Sequence, residues 1–290
     1  AVNRWWMCNL GRYGYHHAHD PQRLAGPRRR DPASRGAPAQ QAIDVDWTPL
    51  VGELRARLRQ AGRLGGLLSP YLTVEEACLL ASLLRSLDPE AVLALGPVPA
   101  AGEDERWPGG FVVAAEKAPN RRGVEEVLAH FTHSVTGFEQ FLDVLGRGEL
   151  RGVWVSGGYK GPWIDEPAAR RFDGLPLLVV QDLFPSPLSE RATYELPGAA
   201  WAERGGSYVN RGDRLQTSPA AIRPPWGVRP EGSLYWQLSG RTGLYDSRTV
   251  LDDLSREILY FAVAAGPVAD TGVDLKLNRL AGDGGAERTS

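Results

Sequence analysis

Apolar and polar positions follow two different periods along this chain. Four short runs are almost wholly apolar: Gly65-Gly66-Leu67-Leu68-Ser69, Ala91-Val92-Leu93-Ala94-Leu95, Val153-Trp154-Val155-Ser156 and Leu175 to Gln181. Short runs without a polar face read as strands covered on both sides. Between them the apolar positions recur every three or four residues. Leu50, Val51, Leu54 and Leu58 share one face of a helix over 47–61. Ala77, Leu80, Ala81, Leu83 and Leu84 do the same for a helix running to about Leu87. Thr73 stands at that helix's N-cap with Glu76 three residues on, the spacing of a capping box. Further helices are expected over 124–130, 137–146 and 248–261. Pro99 to Gly110 reads as loop, and so does Thr193 to Gly212, which is rich in Gly, Asn and small residues. Strands separated by helical segments predict an α/β fold: an open, mostly parallel sheet with helices on both faces.

Composition narrows the picture. The chain has 290 residues, 42% of them hydrophobic, enough to bury one large core or two small ones. The net charge of −2 gives no reason to expect nucleic acid as a partner. No stretch approaches the ~20 apolar residues of a membrane span. The N-terminus shows no signal peptide, because Arg4, Arg12 and three histidines interrupt it before an apolar core can form. Two cysteines, Cys8 and Cys78, make no disulfide framework and favour a reducing compartment. Over 20–46, arginines alternate with Pro21, Pro27, Pro32 and Pro38, which reads as a linker or a strap over a surface. Residues 47–266 then form the expected α/β domain, and 267–290 a polar tail. The chain opens without methionine on a dense aromatic cluster, Trp5, Trp6, Tyr13 and Tyr15 around Cys8, of a kind that normally sits inside a domain. This predicts the C-terminal part of a longer protein.

Most of the candidate chemistry has a plainer reading. Gly157-Gly158 after a strand could cradle a phosphate, but no Gly-Lys-Ser/Thr follows, and a simple turn is the better reading. His16, His17 and His19 lack neighbouring ligands other than Asp20 and read as a solvated turn. Cys78 falls within the helix from Thr73, with no local base to activate it, and reads as a core thiol.

Cys8 is different because of its surroundings. The string Trp5-Trp6-Met7-Cys8-Asn9-Leu10-Gly11-Arg12-Tyr13-Gly14-Tyr15 resembles the end of the iron–sulfur segment in molybdopterin-type oxidoreductases. It is most similar to the large iron–sulfur subunit of respiratory NADH:quinone oxidoreductase (complex I). Three further segments continue the resemblance: Ser69 to Glu76, Pro119-Asn120-Arg121-Arg122-Gly123, and the strand Val153 to Gly158. The most specific is Ala192 to Gln216, with its Glu195-Leu196-Pro197 and Ala202-Glu203-Arg204-Gly205-Gly206. The chain departs from the pattern at Asn9, where the family usually has an acid, and at Asn210-Arg211-Gly212-Asp213-Arg214.

The resemblance implies that Cys8 is the fourth ligand of a 4Fe-4S cluster whose other ligands lie upstream. Residues 1–19 would then end an iron–sulfur segment, with Gly11 and Arg12 in the cluster's surroundings and Arg214 a cation for the cluster or an acidic partner. It implies a scaffold without a catalytic residue of its own, peripheral to the cytoplasmic side of the inner membrane and partnered by other subunits of a respiratory complex. With no equivalent of a metal-ligating Ser or Cys, molybdopterin is not expected to be bound. Two alternatives remain. One is a subunit of a molybdenum- or tungsten-dependent oxidoreductase such as formate dehydrogenase. The other is an interaction module without a cluster.

Overall fold

Each of the four apolar runs becomes a strand of one sheet. The computed structural model describes residues 12–30 and 42–278. In chain order the strands are β1 (Arg28–Arg29), β2 (Ile43–Asp44), β3 (Leu64–Leu68), β4 (Val92–Leu95), β5 (Glu105–Arg106), β6 (Val112–Val113), β7 (Gly152–Ser156), β8 (Leu177–Asp182), β9 (Tyr194–Pro197), β10 (Gly206–Val209), β11 (Arg214–Ser218) and β12 (Val273–Asp274). The helices are α1 (Trp47–Ala61), α2 (Val74–Leu87), α3 (Arg121–Thr132), α4 (Phe138–Gly146), α5 (Glu166–Arg170), α6 (Glu231–Leu238) and α7 (Ser247–Glu257). No helix among the described residues is long and apolar enough to cross a membrane.

The main sheet has the order β2-β1-β9-β8-β7-β3-β4. Its five strands from β9 to β4 run parallel, and β1 adds antiparallel to β9 with β2 outside it. Beyond β4 the chain closes up again: Leu95 N–H donates to Thr136 O at 2.9 Å, and Ala94 bridges Thr136. Alternate residues of each strand face opposite layers. Leu64, Leu68, Trp154 and Val179 pack against α1, α2, α3, α6 and α7. Leu67, Val153, Val155, Leu178 and Val180 pack against α4 and α5. The fold is therefore α/β, with helices on both faces of a mostly parallel sheet. Smaller antiparallel pieces, β10-β11-β12 and the β5-β6 hairpin, flank its carboxyl edge.

Helix boundaries follow the local chemistry. The capping box at Thr73 forms in full, with Glu76 N–H donating to Thr73 Oγ1 and Thr73 N–H to the Glu76 carboxylate. Leu50, Leu54 and Leu58 of α1 are buried. The segment 193–212, expected as loop, instead contains β9 and β10. The strand escapes a hydrophobicity reading because Glu195 sits buried within it, beside Arg28 at 3.3 Å and Arg30 at 3.7 Å. Part of the Pro/Arg stretch joins the sheet through β1 and β2, and Arg23 and Arg30 are buried.

Two glycines in β3 let helices approach the sheet. A Cβ on Gly66 would stand 2.5 Å from Leu84 Cδ1 of α2 and 3.0 Å from Leu93 Cδ2. Gly66→Ala is therefore expected to lower stability by about 1–3 kcal/mol through overpacking, measured as a reduced urea midpoint with unchanged slope.

Candidate functional site

The chain leaves β3 for β4 on one side of the sheet, then returns to β7 on the other. In such a sheet the carboxyl ends of the two strands that flank the reversal open a crevice where ligands bind. Here the crevice is a cavity of about 530 Å³. Tyr71 enters it from the exit of β3 and Gly158 from the exit of β7. Phe111 and Val112 come from the β5-β6 hairpin, and Trp201 and Arg204 from the loop before β10. Gly14, Tyr15 and His17 reach it from the segment that follows Cys8.

The glycine turn after β7 is not a phosphate cradle. A Cβ on Gly157 would lie 2.2 Å from the Asp182 carboxyl carbon. Gly158, at φ +84°, donates its N–H to Asp182 Oδ1 at 2.8 Å. Asp182 also accepts from Leu183 N–H and the Trp163 indole, each at 2.7 Å. The turn's donor thus satisfies a buried carboxylate, whose pKa burial pushes up to about 6.

The segments that carry the family resemblance meet beneath this cavity, and their polar residues bond to one another. Arg204 donates to Tyr71 O at 2.8 Å and pairs with Glu76 and Glu231, each at 3.1 Å. Glu75 accepts from Ser207 N–H at 2.8 Å and Ser207 Oγ at 2.6 Å. Asn120 donates to Leu72 O and accepts from Val209 N–H, both at 2.7 Å. Glu203 accepts from Ala200 N–H and holds Arg23 with both oxygens. All these side chains are buried. Burial raises the Glu231 pKa to about 7, against the pull of Arg204. Burial also works against the charge on Arg204, but Glu231 and Glu76 outweigh it and keep the guanidinium protonated.

The residues singled out from sequence fare unequally. Cys8 and Gly11 lie outside the described residues. Arg12 is exposed. Arg214 donates to the Thr271 and Gly272 carbonyls and so ties β11 to the chain before β12. His17 is held to Gly14 O at 2.8 Å, and burial lowers its pKa. Among the described residues no group of three or more His, Cys, Asp or Glu is placed to hold a metal ion. Cys78 is buried in α2 with its thiol pKa pushed up to about 12 by burial, as a core thiol should be. Asp182 and the Arg23–Glu203 pair went unrecognised in sequence. The one available hint for the first was an acid closing an apolar strand. The second joins residues 180 positions apart and leaves no local signal.

Parts of this chain are similar to known proteins. Residues 126–241 match the family described as molybdopterin oxidoreductase. An NADH-quinone oxidoreductase subunit from Streptomyces coelicolor is 29% identical over 240 residues, covering 76% of this chain and 26% of that protein. An F420-dependent formate dehydrogenase subunit alpha from Methanocaldococcus jannaschii is 26% identical over 125 residues, 41% of this chain and 18% of its own length. Formate dehydrogenase H of Escherichia coli is 25% identical over 130 residues, 44% and 18% respectively. The chain thus spans about a fifth to a quarter of these relatives. Among solved structures, acetylene hydratase from Pelobacter acetylenicus superposes with a TM-score of 0.47 at 9% identity, over 81% of this chain and 63% of that one, too loosely to carry weight.

Two outcomes follow from the Arg204 network. Arg204→Met leaves two buried carboxylates without their cation and is expected to cost about 3–5 kcal/mol in urea denaturation. Glu231, with its folded pKa raised above the ordinary value of 4.5, binds its proton more tightly in the folded state. Its contribution is therefore favourable at low pH and is lost as pH rises from about 4.5 to about 7. Glu231→Gln removes this titration, so its stability relative to the wild type should rise between pH 5 and pH 7. A difference that stays flat or falls over that window would contradict the assignment.

Proposed function

We propose that this chain is part of the large iron–sulfur subunit of an NADH:quinone oxidoreductase, in which flavin and clusters relay electrons from NADH toward quinone. Its own role is scaffold, with Cys8 as one ligand of a 4Fe-4S cluster in the full-length protein. Its partners are then other subunits of a respiratory complex, at the cytoplasmic side of the inner membrane and peripheral to it. One observation carries the reading: Glu75, Glu76, Asn120, Glu203 and Arg204 each bond to or pair with buried partners within the fold, with Glu76 Oε1 and Arg204 Nε left without a hydrogen bond. That is what a scaffold requires, whereas a catalytic group has to be available to a substrate. The match to the Streptomyces NADH-quinone oxidoreductase subunit also spans 76% of the chain, against 41% and 44% for the two formate dehydrogenases.

The residues at the cavity fit a pair of pterin dinucleotides poorly. About 530 Å³ suits one drug-sized ligand. Arg204 is held by two carboxylates, and Lys117 Nζ donates to Ala114 O at 2.5 Å. These contacts support a reading without bound molybdopterin.

The test uses the full-length protein. Cys8→Ala should abolish one tetranuclear signal in EPR spectra of the reduced complex, and elemental analysis should find neither molybdenum nor tungsten at stoichiometric level. An unchanged spectrum would favour an interaction module without a cluster. The second reading, a molybdenum- or tungsten-dependent oxidoreductase, draws on the family match and on the formate dehydrogenase relatives. Stoichiometric metal together with formate-dependent dye reduction would establish it instead.

A further inference from the structure

The segment that follows Cys8 is fastened by an ion pair far more elaborate than a linker requires. Arg23 is buried, with its side chain 5% exposed, and that of Glu203 is 1% exposed. Arg23 Nη1 donates to Glu203 Oε1 and to Ala18 O, both at 2.6 Å. Arg23 Nη2 donates to Glu203 Oε2 at 2.7 Å and to Gly198 O at 3.1 Å. The planar fork thus grips the carboxylate with two parallel bonds and the backbone of its own segment and of the 198–204 loop with two more. Around it, Ala18 packs with Leu183 and Ala200, and Leu24 N–H donates to Leu183 O at 2.8 Å. At the near end, Gly14, Tyr15 and His17 line the cavity.

A buried pair of this kind is a weak source of net stability, because two charges leave water to form it. Its value lies in geometry. We infer that Arg23 and Glu203 are positioning residues that lock residues 14–24 across the carboxyl edge of the sheet and so fix the point from which the chain runs to Cys8. This rests on the reading of Cys8 as a cluster ligand. Five residues lie between Cys8 and Gly14, so covalent geometry keeps the Cys8 Cα within ~20 Å of Gly14 at the cavity. The pair narrows that allowance by removing slack from the segment behind it.

The experiment compares Cys8→Ala, Arg23→Met and the double variant Arg23→Met/Glu203→Met in the full-length protein. Three readouts are taken: the urea midpoint, hydrogen exchange at residues 14–24, and the EPR signal that Cys8→Ala removes. Arg23→Met should accelerate exchange in 14–24 on the order of a hundredfold, and shift or broaden that signal. The double variant leaves no unpaired charge, so its urea midpoint should recover while exchange stays fast and the signal stays displaced. If the signal returns to its wild-type form together with the midpoint, the pair is structural only and the inference falls. Unchanged exchange in Arg23→Met overturns it as well. If Cys8→Ala removes no signal, the cluster reading itself fails, and the link from the pair to Cys8 fails with it.

Discussion

The guanidinium of Arg204, out of water between Glu76 and Glu231, is the contact on which the carboxyl edge of this sheet depends. The N-terminus of α2, where Glu76 sits, and that of α6, where Glu231 sits, converge on this point. Two helix N-termini carry partial positive charge toward the same place. A guanidinium added there would be repelled without the carboxylates, and the carboxylates would be costly to bury without the guanidinium. Each component makes the others tolerable, and together they bind the exit of β3, through Tyr71 O, to both helices.

Glu203 and Arg204 extend this logic in opposite directions. The two adjacent residues carry opposite charges, are both buried, and each takes a partner of the other sign from elsewhere in the chain. Arg204 looks to the helices under the cavity and Glu203 to the segment across its rim. A turn of backbone after β9 therefore joins the interior of the domain to the stretch that follows Cys8. Gly206 beside it serves close approach. A Cβ on Gly206 would stand 2.5 Å from Thr73 Cγ2, at the cap of α2.

What could be read from the residues alone is what local physics decides. The helix over 47–61 was expected from apolar spacing and has those boundaries, and the cap at Thr73 forms with both of its bonds. The four apolar runs are four of the five parallel strands. The fifth, β9, was hidden because its polar residue is neutralised by arginines more than 160 positions away. α6 was hidden for a related reason: its buried face includes Glu231, which looks like a solvent residue until Arg204 is in place. The arginines of the stretch over 20–46 gave no sign of their partners, because Glu195 and Glu203 lie far away in sequence. Local pattern specifies elements well, and it is silent about charges whose partners are supplied by the tertiary fold.

The two margins of the main sheet have a consequence for assembly. A bare strand edge invites another chain to add to it. Among the described residues, one side of the sheet ends in β1 and β2, each two residues long, with Arg28 and Arg29 on β1. On the other, Thr136 occupies hydrogen-bonding positions beside β4. Among the described residues both margins are blunted, which disfavours growth of the sheet by a strand from a neighbour. Association through side chains and loops remains open, and it leaves the hydrogen-bonded interior untouched when a neighbour comes or goes.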